Sequence, residues 1–253
     1  MDGNVKVAFP TDEHHPYADH KARDVALQIV SDFNPDIISA GSDAMDFYSI
    51  SRFQKNPKKA IINNLDREKE TWQAAQREWN EASPNAKRYY IKGNHEDRLI
   101  KYQEKHPEIY GLKALEFQNF FELSKYDIRM ATNNEISVLS QLLISHGTIV
   151  RAKSGYTANA ELEKESASIT TITGHTHRGG SSLKTTRTGI YAGYEGYCLC
   201  DTNPDYIKNP NWQQGITLAT CNKAWRFPQV EPITFWNKNN QVHAIWRDKH
   251  YSS

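Results

Sequence analysis

The sequence predicts an α/β fold in which strands end in ligand-bearing turns and helices cover the sheets. Three observations predict it. Over the first two thirds of the chain, short apolar runs alternate with amphipathic stretches of helical period. Each apolar run stops at a Gly, a Pro or a polar break. Beyond residue 181, Gly, Tyr, Asn, Pro and Trp become frequent and helical periodicity disappears, which predicts a region of strands.

Val5–Phe9 reads as the first strand, closed by Pro10. Asp19–Phe33 reads as a helix whose apolar face is Val25, Leu27, Ile29, Val30 and Phe33, stopped by Pro35. Asp36–Ala40 is the second strand, broken by Gly41-Ser42-Asp43, so the chain opens with a β-α-β unit. Leu65–Glu81 is a second helix, with Trp72 and Trp79 at helical spacing and expected to face the core. Ser83-Pro84-Asn85 ends it, and Lys87–Lys92 is the third strand. Arg98–His106 and Leu112–Leu123 are expected as helices, divided by Pro107 and Gly111. Val138–Ser145 is a strand, Tyr156–Glu165 a helix and Ile169–Thr173 a β-branched strand. Gly189–Cys200, Gly215–Cys221 and Gln241–Arg247 are expected as strands of a second sheet. With no repeat, low-complexity tract or linker, residues 1–253 are expected to form one domain.

Composition narrows the function classes. A formal net charge of +1 provides no overall field for nucleic acid or a membrane surface. The basic clusters at Arg52–Lys59, Lys87-Arg88, and Arg151 with Lys153 read as solvated surface. Cys198, Cys200 and Cys221 have no framework spacing, which argues against a disulfide scaffold. Alternation places the Cys198 and Cys200 thiols on one face, and all three cysteines read as small buried residues. The N-terminal MDGNVKVAFP has no basic region followed by an apolar core, and no apolar run approaches the ~20 residues of a bilayer span. The expected location is cytoplasmic, with no membrane partner.

The breaks carry the chemistry. Asp12-Glu13-His14 follows the first strand, Asp43-Ala44-Met45-Asp46 the second, and Asn94-His95 the third; His146 and His175-Thr176-His177 follow the next two. Carboxyl ends of neighbouring parallel strands share an edge, so these residues should meet in one cleft. In Asp12-x-His14 and His175-x-His177 an extended backbone would point both side chains the same way. Carboxylate oxygen with imidazole nitrogen suits Mn²⁺, Zn²⁺, Fe or Ni²⁺. Asp12, His14, Asp43, Asn94, His146, His175 and His177 are too many for one tetrahedral ion and enough for two ions sharing a carboxylate. Two ions about 3.5–4 Å apart are the recurring device for phosphoester hydrolysis. His15, His20, His106, His243 and His250 fall outside such breaks and are set aside.

The ordered series Asp-x-His, Asp-x-x-Asp, Gly-Asn-His-Glu, His and Gly-His-x-His, across residues 12–177, resembles the calcineurin-like metallophosphoesterase superfamily. FYSISRF (47–53), GNHEDRL (93–99) and GHTHRGG (174–180) are also similar to phage and prophage phosphoesterases, which would act in host cytoplasm. The resemblance implies a four-layer α-β-β-α sandwich with two mixed β-sheets. It places Asp12, His14, Asp43 and His177 at a first metal and Asp43, Asn94, His146 and His175 at a second. It implies two divalent ions, Mn²⁺ foremost, a bridging hydroxide as nucleophile, and His95 as the residue that assists the leaving group, donating to the leaving oxygen if it is protonated or else stabilising it. One departure is visible: Ser42 stands where the family has Gly before the shared Asp, and a Ser needing φ > 0 there would cost energy.

Asp46 and Glu96 are candidate partners that orient the imidazoles, with Asp46 counted among the catalytic residues. Arg52, Arg98 and Arg178 flank the motifs and are candidate phosphate contacts. The leading reading is a phosphodiesterase acting on nucleic acid or a nucleotide, supported by the basic Arg52–Lys59 loop and by Phe47, Tyr48, Tyr194, Tyr197 and Trp212 as stacking surfaces. A phosphomonoesterase is the alternative. Ser/Thr phosphatases place Asp-Arg-Gly where this chain has Asp46-Phe47-Tyr48, which argues against that form of it. A non-catalytic metal-binding scaffold is the third reading.

Overall fold

The computed structural model describes residues 3–52, 56–204 and 208–253. The chain runs β1 (Asn4–Phe9), α1 (His20–Phe33), β2 (Ile37–Gly41), α2 (Pro57–Ile62), α3 (Leu65–Ala82), β3 (Lys87–Tyr90), α4 (Asp97–Lys105), α5 (Phe117–Phe120) and β4 (Ile128–Met130). It continues through β5 (Ile136–Val138), β6 (Leu142–Ser145), α6 (Tyr156–Lys164), β7 (Thr170–Thr173), β8 (Gly179–Thr185) and β9 (Ile190–Gly196). It closes with β10 (Gly215–Asn222), β11 (Gln229–Thr234), β12 (Trp236–Lys238), β13 (Gln241–Trp246) and β14 (Lys249–Ser252).

A six-stranded sheet has the order β11-β10-β1-β2-β3-β4, and a five-stranded sheet the order β5-β6-β7-β9-β8. In the first, β1 to β4 are parallel, β10 runs antiparallel to β1, and β11 antiparallel to β10. In the second, β6, β7 and β9 are parallel, with β5 and β8 antiparallel at the edges. Alternation along β1 sorts its side chains. Ala8 faces α1 and α3 with Val25, Ile29, Phe33, Ile38 and Trp79, whereas Val7 and Phe9 face Leu142, Ile144 and Ile172 of the other sheet. On the far side α6 lies on β7, β8 and β9. A Cβ on Gly193 would stand 2.2 Å from the Ala158 carbonyl oxygen, so glycine sets that close helix–strand approach. The layers run helices, sheet, sheet, helix, as the resemblance implied. Trp72 and Trp79 are buried in the core, as expected. Among the described residues, no helix is long and apolar enough to cross a membrane.

The local differences have local causes. Val138–Ser145 is not one strand but parts of β5 and β6, joined at Leu139 (φ 51°) and Ser140 (φ 55°). That left-handed pair closes a hairpin without the usual Gly or Asn. Leu112–Leu123 is not one helix: extended backbone at Glu116 (φ −61°, ψ 135°) and left-handed Glu122 (φ 51°) break it, while Phe117, Phe120 and Phe121 turn onto Tyr90 and Phe47. Gly215–Cys221 joins β1 in the first sheet, and Gln241–Arg247 supplies a separate three-stranded sheet, β12-β13-β14. Only Ile190–Gly196 of those three late segments enters the second sheet. Period-2 patterning marks a strand without naming its partner.

Candidate metal centre

The expected ligands come from both sheets, not from one edge. β1, β2 and β3 deliver Asp12, His14, Asp43, Asn94 and His95; β6 and β7 of the facing sheet deliver His146, His175 and His177. His14 Nε2 and His177 Nε2 stand 2.9 Å apart, with Asp12 Oδ1 3.1 Å from His177 Nε2. His146 Nε2 lies 3.2 Å from His175 Nδ1 and 3.2 Å from Asn94 Oδ1. Asp43 Oδ2 lies between the two groups, 3.3 Å from His146 Nε2 and 4.0 Å from His14 Nε2. Burial opposes ionisation of Asp12 and Asp43, yet the surrounding imidazoles keep both carboxyls below their usual range. Buried anionic oxygens among imidazole nitrogens, Asp12 with His14 and His177 and Asp43 with His146 and His175, form groups that could hold a divalent cation.

The backbone produces this convergence differently from the extended pattern expected. Asp12 (φ 53°), His14 (φ 50°), Asp43 (φ 47°), His175 (φ 72°) and His177 (φ 57°) are all left-handed. Non-glycine residues seldom adopt this conformation, and such outliers gather at functional sites. The Ser42 question resolves here: the positive φ falls on Asp43, not on Ser42. Ser42 Oγ is 2.8 Å from His146 Nδ1, a contact that glycine could not make.

Both carboxylates are held from behind. Asp43 Oδ1 accepts from the His95 N–H at 2.8 Å, leaving Oδ2 for the site. Asp12 Oδ2 accepts from Thr11 Oγ1 at 2.6 Å and from the His175 N–H at 3.0 Å. A Cβ on Gly93 would stand 2.0 Å from Asp43 Oδ1 and 2.7 Å from the Asp43 nitrogen, which explains the glycine. Glu96 does not orient an imidazole. It accepts from the Gly93 N–H (2.7 Å), the Ala44 N–H (2.8 Å) and the Tyr90 hydroxyl (2.9 Å), tying two ligand loops together. Burial raises its carboxyl to about 7. Glu13 is structural as well, held by Trp79 (2.8 Å), Arg23 (2.9 Å) and His15 (2.9 Å).

Asp46 sits behind two rings. Its Oδ2 is 3.5 Å from His14 Nδ1 and 3.6 Å from His95 Nδ1. The His95 Nδ1–H donates to the Asp46 carbonyl at 3.0 Å, because a carbonyl can only accept. Arg98 Nη2 then donates to His95 Nε2 at 2.9 Å, and Arg98 Nη1 to the Asp46 carbonyl at 2.6 Å. Both ring nitrogens are thus committed with His95 neutral, and burial lowers its pKa to about 3. The condition for His95 to donate to a leaving oxygen, a protonated ring, is not met in this arrangement. The permanent cation at that place is Arg98.

Two of the cavities beside the ligands share Asn94 in their linings. One of about 430 Å³ includes Lys92, Asn133, His146, Lys164 and His175. The other, of about 520 Å³, is lined by Arg52, Arg98, Lys101, Tyr102 and Lys105. Arg178 is elsewhere, donating to the carbonyls of Arg151 and Asn211. Of the five aromatics expected as stacking surfaces, Tyr48 and Trp212 line a small cleft with His14 and His177. Phe47 is buried against Phe120 and Phe121, Tyr197 is buried, and Tyr194 packs on the inter-sheet core. Residues 53–55 of the basic cluster lie outside the described residues. The sequence missed Lys101, Tyr102 and Lys105, although their i, i+1 and i+4 spacing on α4 continues the series from Arg98.

No protein-family model matches the chain. The Gene 54 protein of Mycobacterium phage L5 is 22% identical over 241 residues, covering 90% of this chain and 93% of that protein. Among solved structures, a single mutant of Vps29 from Entamoeba histolytica aligns with a TM-score of 0.42 at 11% identity, covering 98% of this chain and 97% of that one. The wild-type Vps29 complexed with Zn²⁺ aligns with a TM-score of 0.42 at 13% identity and the same coverage.

Proposed function

We propose that this chain is a metal-dependent phosphoesterase, and specifically a phosphodiesterase. The observation that carries the diester reading is the pair of cavities that share Asn94 in their linings, one reaching His146 and His175 and the other Arg98. A diester has an arm on either side of phosphorus and needs both spaces; a monoester needs one. Asp12, His14, Asp43 and His177 would hold one divalent ion, and Asp43, Asn94, His146 and His175 the other. Mn²⁺ is the first choice, with Zn²⁺, Fe and Ni²⁺ also compatible with the donors. Such a pair supplies an activated water at neutral pH and neutralises phosphoryl charge.

The chain's own groups do the rest. Asp43 sets the spacing of the two groups through one oxygen. Arg98, fixed by Asp46 and His95, places a permanent positive charge beside the cluster, where it stabilises charge developing on the phosphoryl or leaving oxygen. His95 orients Arg98 and is itself oriented by Asp46. Arg52, Lys101 and Lys105 give the larger cavity an anion-binding wall, and Tyr102 offers a stacking face. A nucleotide or nucleic-acid substrate fits those groups. The likeness to a phage gene product agrees with a phage-type enzyme acting in host cytoplasm.

The test is to strip the protein of metal, reconstitute it with Mn²⁺, and compare bis(p-nitrophenyl) phosphate with p-nitrophenyl phosphate under one condition. Faster diester hydrolysis supports the proposal. A faster monoester makes the chain a phosphatase, and no turnover of either returns it to a metal-binding scaffold.

A further inference from the structure

Cys198 and Cys200 meet the back of His177. Past β9, the chain makes isolated bridges from Cys198 to Gln214 and from Cys200 to Ala18, and both thiols come to one side. His177 turns Nε2 toward Asp12 and His14, and Nδ1 toward Cys200 Sγ at 3.8 Å. The His177 ring nitrogen and the two sulfurs lie within 4.8 Å of one another. All three residues are buried, and none of the cysteines is in a disulfide. The alternation expected from Cys-x-Cys is present; the third donor comes from a motif more than twenty positions upstream.

We propose that Cys198, Cys200 and His177 Nδ1 form a further metal site, selective for a soft divalent ion such as Zn²⁺ or Cd²⁺ and distinct from the oxygen- and nitrogen-lined pair. Tetrahedral zinc, with Zn–S of about 2.3 Å and Zn–N of about 2.0–2.1 Å, requires an N···S separation of about 3.6 Å. The Cys200–His177 separation of 3.8 Å is already close to it. Two thiolates neutralise a dication, so the filled site adds no net charge to a buried place. Sulfur donors select soft ions over Mn²⁺. A cleft of about 80 Å³, lined by Cys200, His177, His14 and Trp212, gives the ion a way in and room for a water as fourth ligand. Binding releases both thiol protons to solvent; when the neighbouring ligand group is filled as well, the one ring proton of neutral His177 leaves too, and the resulting imidazolate is balanced by that second divalent ion. The His177 ring then links this ion to the neighbouring ligand group through its two nitrogens.

The test is a titration of the full, metal-free chain with Cd²⁺ in the presence of excess Mn²⁺, followed by thiolate-to-cadmium charge-transfer absorbance. The expected result is a band that saturates at one ion per chain. Cys200→Ser and Cys198→Ser should each weaken Cd²⁺ binding by more than the roughly 10–100-fold typical of losing an outer partner of a metal ligand. Cys221→Ser should leave the band unchanged, since Cys221 lies in the inter-sheet core. Absence of the band in the unsubstituted chain overturns the site and needs no variant to fold. So does a band that survives Cys200→Ser and Cys198→Ser. The phosphoesterase ligands contain no sulfur, so the band and the hydrolysis assay fail independently.

Discussion

Ser42→Ala isolates one buried contact. Ser42 is 1% exposed and His146 4% exposed, and Ser42 Oγ to His146 Nδ1 is 2.8 Å. His146 uses its other nitrogen toward Asp43 and Asn94. Removing the hydroxyl leaves a buried ring nitrogen without this partner, at a cost of about 1–3 kcal/mol. For a chain of this size that lowers Tm by about 2–4 °C per kcal/mol. The larger effect is on metal: losing an outer partner of a ligating histidine weakens binding by roughly 10–100-fold, which is about 1.4–2.8 kcal/mol. Calorimetric titration of the metal-free protein with Mn²⁺, beside thermal melts, reads both. Ser42→Gly, which restores the residue usual in the resembled family, should show the same loss of affinity. If Mn²⁺ affinity is unchanged in both variants, the serine does not position His146 and the reasoning fails.

Three further outcomes are expected. Gly93→Ala forces a Cβ to 2.0 Å from Asp43 Oδ1 and 2.7 Å from its backbone nitrogen, which no side-chain rotation relieves; overpacking of this kind costs about 1–3 kcal/mol, and bound-metal stoichiometry should fall with Tm, whereas full Mn²⁺ occupancy would show that the loop yields freely. Arg98→Ala should lower kcat by about 10²–10³-fold and leave Mn²⁺ affinity within a few-fold, so a variant that loses metal instead would make Arg98 structural. Glu13 concerns acid stability: burial would raise its carboxyl, but Arg23, then His15 and Trp79, bring it from 4.5 to about 2. A lowered folded-state pKa contributes stability that is complete above pH 4.5 and lost as pH falls toward 2. Acid unfolding of Glu13→Gln should therefore show a shallower dependence in that window, and a curve parallel to that of the unsubstituted protein would contradict the assignment.

Much of the site was legible because metal chemistry restricts residue types and the strands announce where each type falls. Asp12, His14, Asp43, Asn94, His146, His175 and His177 do gather, as their places after apolar runs implied. Their mutual directions were not legible. Five of them reach the cluster from left-handed backbone, which a two-residue spacing does not reveal. The role of Glu96 was misread because an acidic residue beside a histidine suggests an imidazole partner, while burial turned it to two backbone N–H groups and the Tyr90 hydroxyl. The hydroxyl of Ser42 was read only as a missing glycine.

By itself the sequence determined the alternation of strands and helices, the donor types and their order along the chain, because periodicity and ligand chemistry are local properties. Tertiary structure alone decided which sheet β10 and β13 join, that Asp43 stands between two imidazole groups, that Arg98 occupies the free nitrogen of His95, and that Cys198 and Cys200 meet His177. Each of these depends on which surfaces pack together over long separations, and pairing partners, unlike strand propensity, leave no mark in a single stretch of chain.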